Sequence, residues 1–473
     1  MLPNPLSDTS GLPGALRVFR DAAEHVPAYR DFLRVHGIAP GDIRTAADFA
    51  ALPPLTKQNY IAAYPAHQLL PHGRITGAET WSASSGSSGE PTYWARGPVA
   101  LRQSIELHRR ILRGLGADRR PTLVVIGFAM GSWIGGTYTY QAITALHRRG
   151  FPISAITPGV DVAAVRAALR SLGPQYGRVV LAGYPPFLRD VLDEPGVADG
   201  LDLRVLMAGE NIGEPWRDHL LELAGKPGRP EVSTLIYGTA DLGMIGHETV
   251  STIAVRRRAE QLPSLRRRLF GTAGVLPTFV EYDPGYRYVE PDPSGALLFT
   301  AHNAIPLVRY RINDEGAVFG QPELRAALRE AGCPPALRAT TRSARYLVLN
   351  GRTDVAATFY SVKITPEAIR AALADAGLVR TLTGKYLLDS VADERFRPEL
   401  VLRVQLRPGV RPDPALAALV GKTTVATLCR VSSEYRELHR VSGERAEPTV
   451  LLDDFDSPRY RYRIKHRPMR QVA

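Results

Sequence analysis

The chain has 473 residues, 44% of them hydrophobic and 22% charged, a composition that suits two or three soluble folding units and needs no disulfide support. Its formal net charge is +12, and of its 59 lysine and arginine residues only six are lysine. The two cysteines, Cys333 and Cys429, lie far apart and exclude a disulfide scaffold or a thiolate zinc site.

A basic balance of this kind favours anionic ligands such as nucleotides, although genome composition produces the same bias. No zinc finger, aromatic RNA motif or clear helix-turn-helix accompanies it, so nucleic acid is not an expected partner. The opening MLPNPLSDTSG has no basic stretch followed by an apolar one, and reduced cysteines suit the cytoplasm. The uncharged stretch 121–146 is broken by Gly127, Gly131, Gly135 and Gly136 and reads as core strand plus glycine loop, not as a membrane span.

In chain order, residues 11–70 read as short helices punctuated by proline, with Thr45 to Asp48 resembling a helix start. From residue 78 strands and helices alternate. TLVVIGF (122–128), FPISAI (151–156), RVVLAG (178–183), LRVLMAG (203–209) and EVSTLIYG (231–238) read as strands. TYQAITALHRRG (139–150), DVAAVRAALRSLG (161–173) and PPFLRDVLD (185–193) read as helices. This rhythm predicts an α/β fold with mostly parallel sheet.

The segment 249–276, with Arg256–Arg258 and Arg266–Arg268, interrupts the rhythm as a solvated basic helix pair or a surface that recruits a phosphate or partner. YRYVEPDPSGALLFTA (286–301) predicts a hairpin turning at Pro291–Gly295. LNGRTD (349–354) marks a boundary. Beyond it the sequence predicts a small α+β domain: a helix at Pro366–Ala376, a strand at PELVLRVQL (398–406), a further helix, and a strand near TVATLCRV (424–431). The expected division is a large domain over 1–348, a hinge at 349–354 and a small mobile domain over 355–473.

Chemistry is most concentrated in Ala83-Ser-Ser-Gly-Ser-Ser-Gly-Glu-Pro-Thr92, where four serines and two glycines fall within ten residues. Glycine lets backbone N–H groups approach a phosphate, and hydroxyls add donors. The spacing and lysine of a Walker loop are absent, and a serine- and glycine-rich turn alone is as often a linker. Four further segments follow in order: YGTAD (237–241) after a strand, PLVRYRIND (306–314) after the hairpin, GRTD (351–354) at the boundary, and Lys465 near the end.

These five segments, with VPAYRDFLRVHGIAPGDIRTAADFAALPPLTKQNY near the N-terminus, resemble the adenylate-forming superfamily of acyl-CoA synthetases and adenylation domains, in particular its phenylacetate–CoA ligase branch. The resemblance runs from about residue 25 to 467. It implies a large α/β domain with a β-rich portion and a small α+β domain that rotates between half-reactions about Asp354. It also implies ATP and Mg²⁺, with CoA as a candidate cosubstrate. A carboxylate would attack the α-phosphate, release pyrophosphate and leave an acyl-adenylate. The partners would be a small-molecule acid and an acceptor, with a homodimer left open.

Residue by residue, Ser84, Ser85, Gly86, Ser87, Ser88 and Gly89 would hold the β- and γ-phosphates. Glu90 stands where the family often has lysine and would face away. Tyr237, with Gly238 and Thr239, would flank the adenine, joined by Gly209 and Glu210. Asp241, where glutamate is usual, would help to hold Mg²⁺. Asp314 would accept from both ribose hydroxyls, with Arg352 assisting, and Lys465 would bridge the carboxylate and the α-phosphate. Trp133, Gly135, Tyr138, Tyr184 and Phe187 would line a pocket for an aromatic or apolar acid, or be ordinary core.

One departure matters. Tyr360-Ser361 stands where the branch has Arg-Gly, and that glycine admits the pantetheine arm. The acceptor is therefore either CoA or a different nucleophile, as in related amide-forming enzymes and those that activate nitrite for N–N bond formation. A non-catalytic adenylate binder is the third reading. The sequence does not name the acid.

Overall fold

The structure, a computed structural model, describes residues 11–84, 91–271, 276–333, 339–351 and 357–460, together with the backbone of Arg352. Its helices and strands divide into two compact units: one of 1–83, 93–183 and 188–353, the other of 84–92, 184–187 and 354–473.

In the first unit the chain opens with helices α1 (Leu12–His25), α2 (Pro27–Val35) and α3 (Ala46–Ala51). Proline near the start of α1 and α2 presets the helical φ. At α3 the Thr45 hydroxyl accepts from the Asp48 N–H while the Asp48 carboxylate accepts from the Thr45 N–H, a reciprocal capping box. Leu12, Leu16, Phe19 and Ala23 recur at helical spacing and are buried. With Tyr29 and Phe49 they share a core with Leu297, Phe299 and Tyr310 of the antiparallel sheet. Each such side chain contributes about 1.5–3 kcal/mol; Phe19→Ala would cost about 3–5 kcal/mol.

Strands β1 (Thr80–Ser84) and β2 (Thr92–Arg96) form a two-stranded sheet. Then come α4 (Pro98–Gly114), β3 (Thr122–Gly127), α5 (Ile134–Arg148), β4 (Ile153–Ile156), α6 (Val162–Leu172), β5 (Arg178–Gly183), α7 (Pro185–Leu192), β6 (Leu203–Ala208), α8 (Glu214–Leu223) and β7 (Ser233–Thr239). After Thr122 the sequence of β3 is apolar without alternation, and every residue in it is buried, as in a parallel strand covered on both faces. Next are β8 (Gly243–His247), α9 (Val250–Gln261), α10 (Pro263–Leu269), β9 (Thr278–Tyr282), β10 (Arg287–Pro291), β11 (Ala296–Ala301), β12 (Leu307–Phe319), α11 (Gln321–Glu330) and β13 (Arg345–Arg352). One 11-stranded sheet runs β10-β11-β12-β13-β9-β8-β7-β6-β5-β3-β4. Pairing is parallel from β4 to β7 and antiparallel from β7 to β10. The expected α/β portion and the β-rich portion are thus two ends of one sheet, and they meet at β7.

The second unit holds a hairpin, β14 (Ala357–Phe359) and β15 (Val362–Ile364), then α12 (Pro366–Leu373), β16 (Leu382–Ala392), β17 (Pro398–Leu406), α13 (Pro414–Val431), α14 (Ser433–Ser442) and β18 (Thr449–Asp453). β16 and β17 are antiparallel, and β18 joins β17 in parallel. The strand expected at TVATLCRV is the C-terminal half of α13. Its β-branched run suggested a strand, but Val420, Thr424, Thr427 and Leu428 fall on one helical face and bury together. The Asp413 carboxylate, accepting from the Ala415 N–H, commits the start of that helix.

The basic segment also departs from expectation. α9 and α10 are helical, but Arg256 is fully buried. It meets Glu214 and Glu248 at 3.1 Å each and donates to the Ile212 carbonyl at 2.7 Å. Arg217, also buried, meets Glu248 at 2.7 Å and Glu214 at 3.0 Å. Guanidinium forks match carboxylates in pairs, so part of this basic run is an internal brace. Among the described residues no helix is long and apolar enough to cross a membrane.

Candidate active site

Open parallel sheets bind ligands beyond the carboxyl ends of their strands. At that edge β6 ends at Ala208, which pairs with Ile236 of β7. The next residues are Gly209 and Glu210 on one strand and Tyr237, Gly238 and Thr239 on the other. Gly209 has φ 105°, a conformation open to glycine, where the chain turns off the sheet. Gly238 is also closely approached: a Cβ there would stand 3.0 Å from the Gly243 carbonyl oxygen.

Tyr237 donates its hydroxyl to Asp314 Oδ2, and its ring packs 6.5 Å from Phe299. Asp314 is buried on β12. Directly before it, Asn313 has φ 64°, a left-handed conformation that asparagine tolerates better than most residues. The register of β12 and β13 sets Asp314 opposite Arg352. Three positions expected around a nucleoside, Tyr237, Asp314 and Arg352, are therefore joined by one hydrogen bond and one cross-strand pair.

Asp241 sits at the tip of the β7–β8 hairpin. Thr239 pairs with Gly243, leaving Ala240, Asp241 and Leu242 as the loop, and Gly243 takes φ 72° to close it. The Thr239 hydroxyl accepts from the Leu242 N–H at 3.1 Å. The Asp241 carboxylate accepts from the Tyr310 hydroxyl at 2.8 Å. Tyr310 is itself buried on β12, edge-on to Trp94.

Beneath this loop are two buried arginines. Arg96 donates to the Ser82 hydroxyl at 3.0 Å, to the Asp241 carbonyl at 3.2 Å and to the Ala240 carbonyl. Arg287 donates to the Leu242 carbonyl at 2.9 Å and to Gln103 Oε1 at 2.5 Å. Burial lowers the pKa of both guanidinium groups; that of Arg287 falls to about 10, with Arg96 adding repulsion. Tyr138 lies beside the pair, with Arg96 6.0 Å over its ring. Burial raises the pKa of its phenol, while the two arginines oppose the rise.

Of the remaining expected site residues, Ser84 is buried at the end of β1. Ser85, Gly86, Ser87, Ser88, Gly89, Asp354 and Lys465 lie outside the described residues, as does the Arg352 side chain. Trp133 precedes α5 and is half-buried, like Gly135 two residues on. Tyr184 is half-buried where α7 begins, and Phe187 is buried within α7. Sequence reading missed Arg96, Arg287 and Tyr310. Tyr310 lies inside the quoted PLVRYRIND, four residues before Asp314, and that spacing was its available signal. No sequence signal marks the two arginines among so many others.

No family model matches the chain. Phenylacetate-coenzyme A ligase of Aromatoleum evansii is 24% identical over 396 residues, covering 82% of this chain and 79% of that protein. A crystal structure of 2-hydroxyisobutyryl-CoA ligase in complex with 2-HIB-AMP and CoA superposes with a TM-score of 0.60. It shares 18% identity and covers 96% of this chain and 88% of that one. An open conformation of the same ligase gives 0.51 at 19% identity, over 95% and 88% of the two chains. The fold is that of the adenylate-forming ligases. In sequence the chain is similar to phenylacetate–CoA ligase.

Proposed function

We propose that the protein activates a small, aromatic or apolar carboxylic acid with ATP as an acyl-adenylate and then passes the acyl group to CoA. The observation that carries this reading is the Tyr237–Asp314 hydrogen bond with Arg352 opposite, at the carboxyl edge of the parallel strands. A buried carboxylate beside an aromatic ring suits a nucleoside: the ring offers a face to the purine, and the carboxylate has acceptor sites for two ribose hydroxyls. The curated relative carries the CoA-ligase name, and the 2-hydroxyisobutyryl-CoA ligase structure holds an acyl-AMP and CoA together, which supports the same reaction order.

In this mechanism an acid oxygen forms a bond to the α-phosphorus as the bond to the pyrophosphate oxygen breaks, and pyrophosphate departs with that electron pair. Lys465 would neutralise charge shared between acid and phosphate, and the Ser84–Gly89 stretch would hold the departing phosphates. Asp241 suits Mg²⁺. Its carboxylate is held in place by the Tyr310 hydroxyl, and Mg²⁺ binds through one or two carboxylates plus substrate phosphates. When bound, the ion would supply charge neutralisation at the phosphates.

A second reading, transfer to an amine or another small nucleophile, has one observation in its favour. Tyr360 and Ser361, at the β14–β15 turn, have φ 46° and 64°. Glycine or asparagine would hold such a turn at less cost, and strain of this kind gathers at functional positions. Incubation with ATP, a panel of acids and either CoA or amines, with products identified by mass spectrometry, separates the readings. Acyl-CoA supports the first and amides with no thioester support the second. No pyrophosphate from any acid would remove both and favour the adenylate binder.

A further inference from the structure

Three successive backbone carbonyls, those of Ala240, Asp241 and Leu242, accept hydrogen bonds from two buried guanidinium groups. A hairpin tip ordinarily leaves its carbonyls to water and moves with it. Here Arg96 spans two of them and the Ser82 hydroxyl, and Arg287 spans the third and Gln103. No ion pair to a carboxylate is found for either arginine among the described residues. Their N–H groups are directed instead at neutral oxygens, three of them the carbonyls of one loop and the others those of Ser82, Gln103 and Tyr286.

We propose that Arg96, supported by Arg287, is a positioning residue that fixes the hairpin tip so that the Asp241 carboxylate meets the divalent cation of the bound nucleotide in one orientation. This rests on the reading of Asp241 given above. The loop is restrained twice: its backbone from below by the arginines, and its carboxylate from β12 by Tyr310. An apolar side chain would fill the space of Arg96 without the cost of burying a cation. Its planar fork, which reaches three acceptors at once, is what the loop uses. Lysine has a single ammonium and cannot reproduce that span.

The test measures binding of Mn²⁺ to the full chain with a non-hydrolysable ATP analogue, by electron paramagnetic resonance, beside the Mg²⁺ dependence of acid-driven pyrophosphate exchange. Arg96→Gln should weaken Mn²⁺ by about ten- to a hundredfold, the usual effect of losing the partner behind a metal ligand. Arg96→Lys should rescue little of this. Ser82→Ala deletes one acceptor of Arg96 and spares the fold; it should weaken Mn²⁺ in the same direction by about two- to fivefold. If Arg96→Gln does not fold, Ser82→Ala decides. Ser82→Ala and folded Arg96→Gln with wild-type Mn²⁺ affinity, where Asp241→Asn loses it, would overturn the proposal. Indifference to Asp241→Asn would instead remove the reading of Asp241, and this inference with it.

Discussion

Two groups of buried arginines flank β7 and β8, and they are used in opposite ways. Behind the strands, Arg217 and Arg256 meet Glu214 and Glu248, carboxylates as buried as themselves. At the hairpin tip, Arg96 and Arg287 meet backbone carbonyls. In the first group charge cancels charge, and the result is a brace between α8, α9 and the end of β8. In the second neither arginine makes a direct ion pair among the described residues, and the result is a fixed loop in a positive setting, suited to a site for phosphates. Burying an arginine therefore does not by itself mark function; its partner distinguishes the two cases.

The comparison can be broken at either end. The largest effect is expected in the brace. Arg256→Ala leaves Glu248 with Arg217 alone and Glu214 with Arg217 and Arg257, and should cost about 3–5 kcal/mol in denaturant unfolding. Replacement of the whole cluster by apolar residues should cost far less. At the tip the order reverses: Asp241→Ala should leave unfolding nearly unchanged and lower pyrophosphate exchange by about a hundredfold or more. Tyr310→Phe, which frees the carboxylate but keeps it, should cost about tenfold in exchange, seen as a raised Mg²⁺ requirement.

His108 on α4 and His247 at the end of β8 are both buried. Burial pushes their pKa values down to about 4 and about 3, with the Arg110 charge and then His108 adding to the effect at His247. Both are neutral in the folded chain. A depressed pKa means that the unfolded state takes up protons first, so their contribution is whole above about pH 6.5 and is lost as pH falls toward 4. Melting temperature should fall across that window, and His108→Gln should flatten the fall. This is the smallest effect near neutral pH.

Much of the fold was legible because the pattern and the environment agree. TLVVIG is apolar after Thr122, and the strand it forms is covered on both faces. The turn at Pro291–Gly295 is where Gly295, with φ 89°, reverses the chain. TVATLCRV was misread because a run of β-branched residues favours strand locally, while the spacing that buries Val420, Thr424 and Leu428 acts over a longer window. At the site, YGTAD and PLVRYRIND carried Tyr237, Asp241 and Asp314 in their own order. Arg96 and Arg287 were not legible, since their role depends on which carbonyls the folded chain sets before them. The same holds for Arg256, which reads as surface until Glu214 and Glu248 are brought to it.

The central claim is that Tyr237, Asp241 and Asp314 form one half of an adenylating site whose lysine is Lys465. Exchange of labelled pyrophosphate into ATP, with a panel of small aromatic and aliphatic acids, tests it most directly. The account predicts exchange that depends on one class of acid and is abolished in Lys465→Ala, with an unchanged melting temperature. Near-normal exchange in Lys465→Ala, or exchange indifferent to any acid, would contradict it.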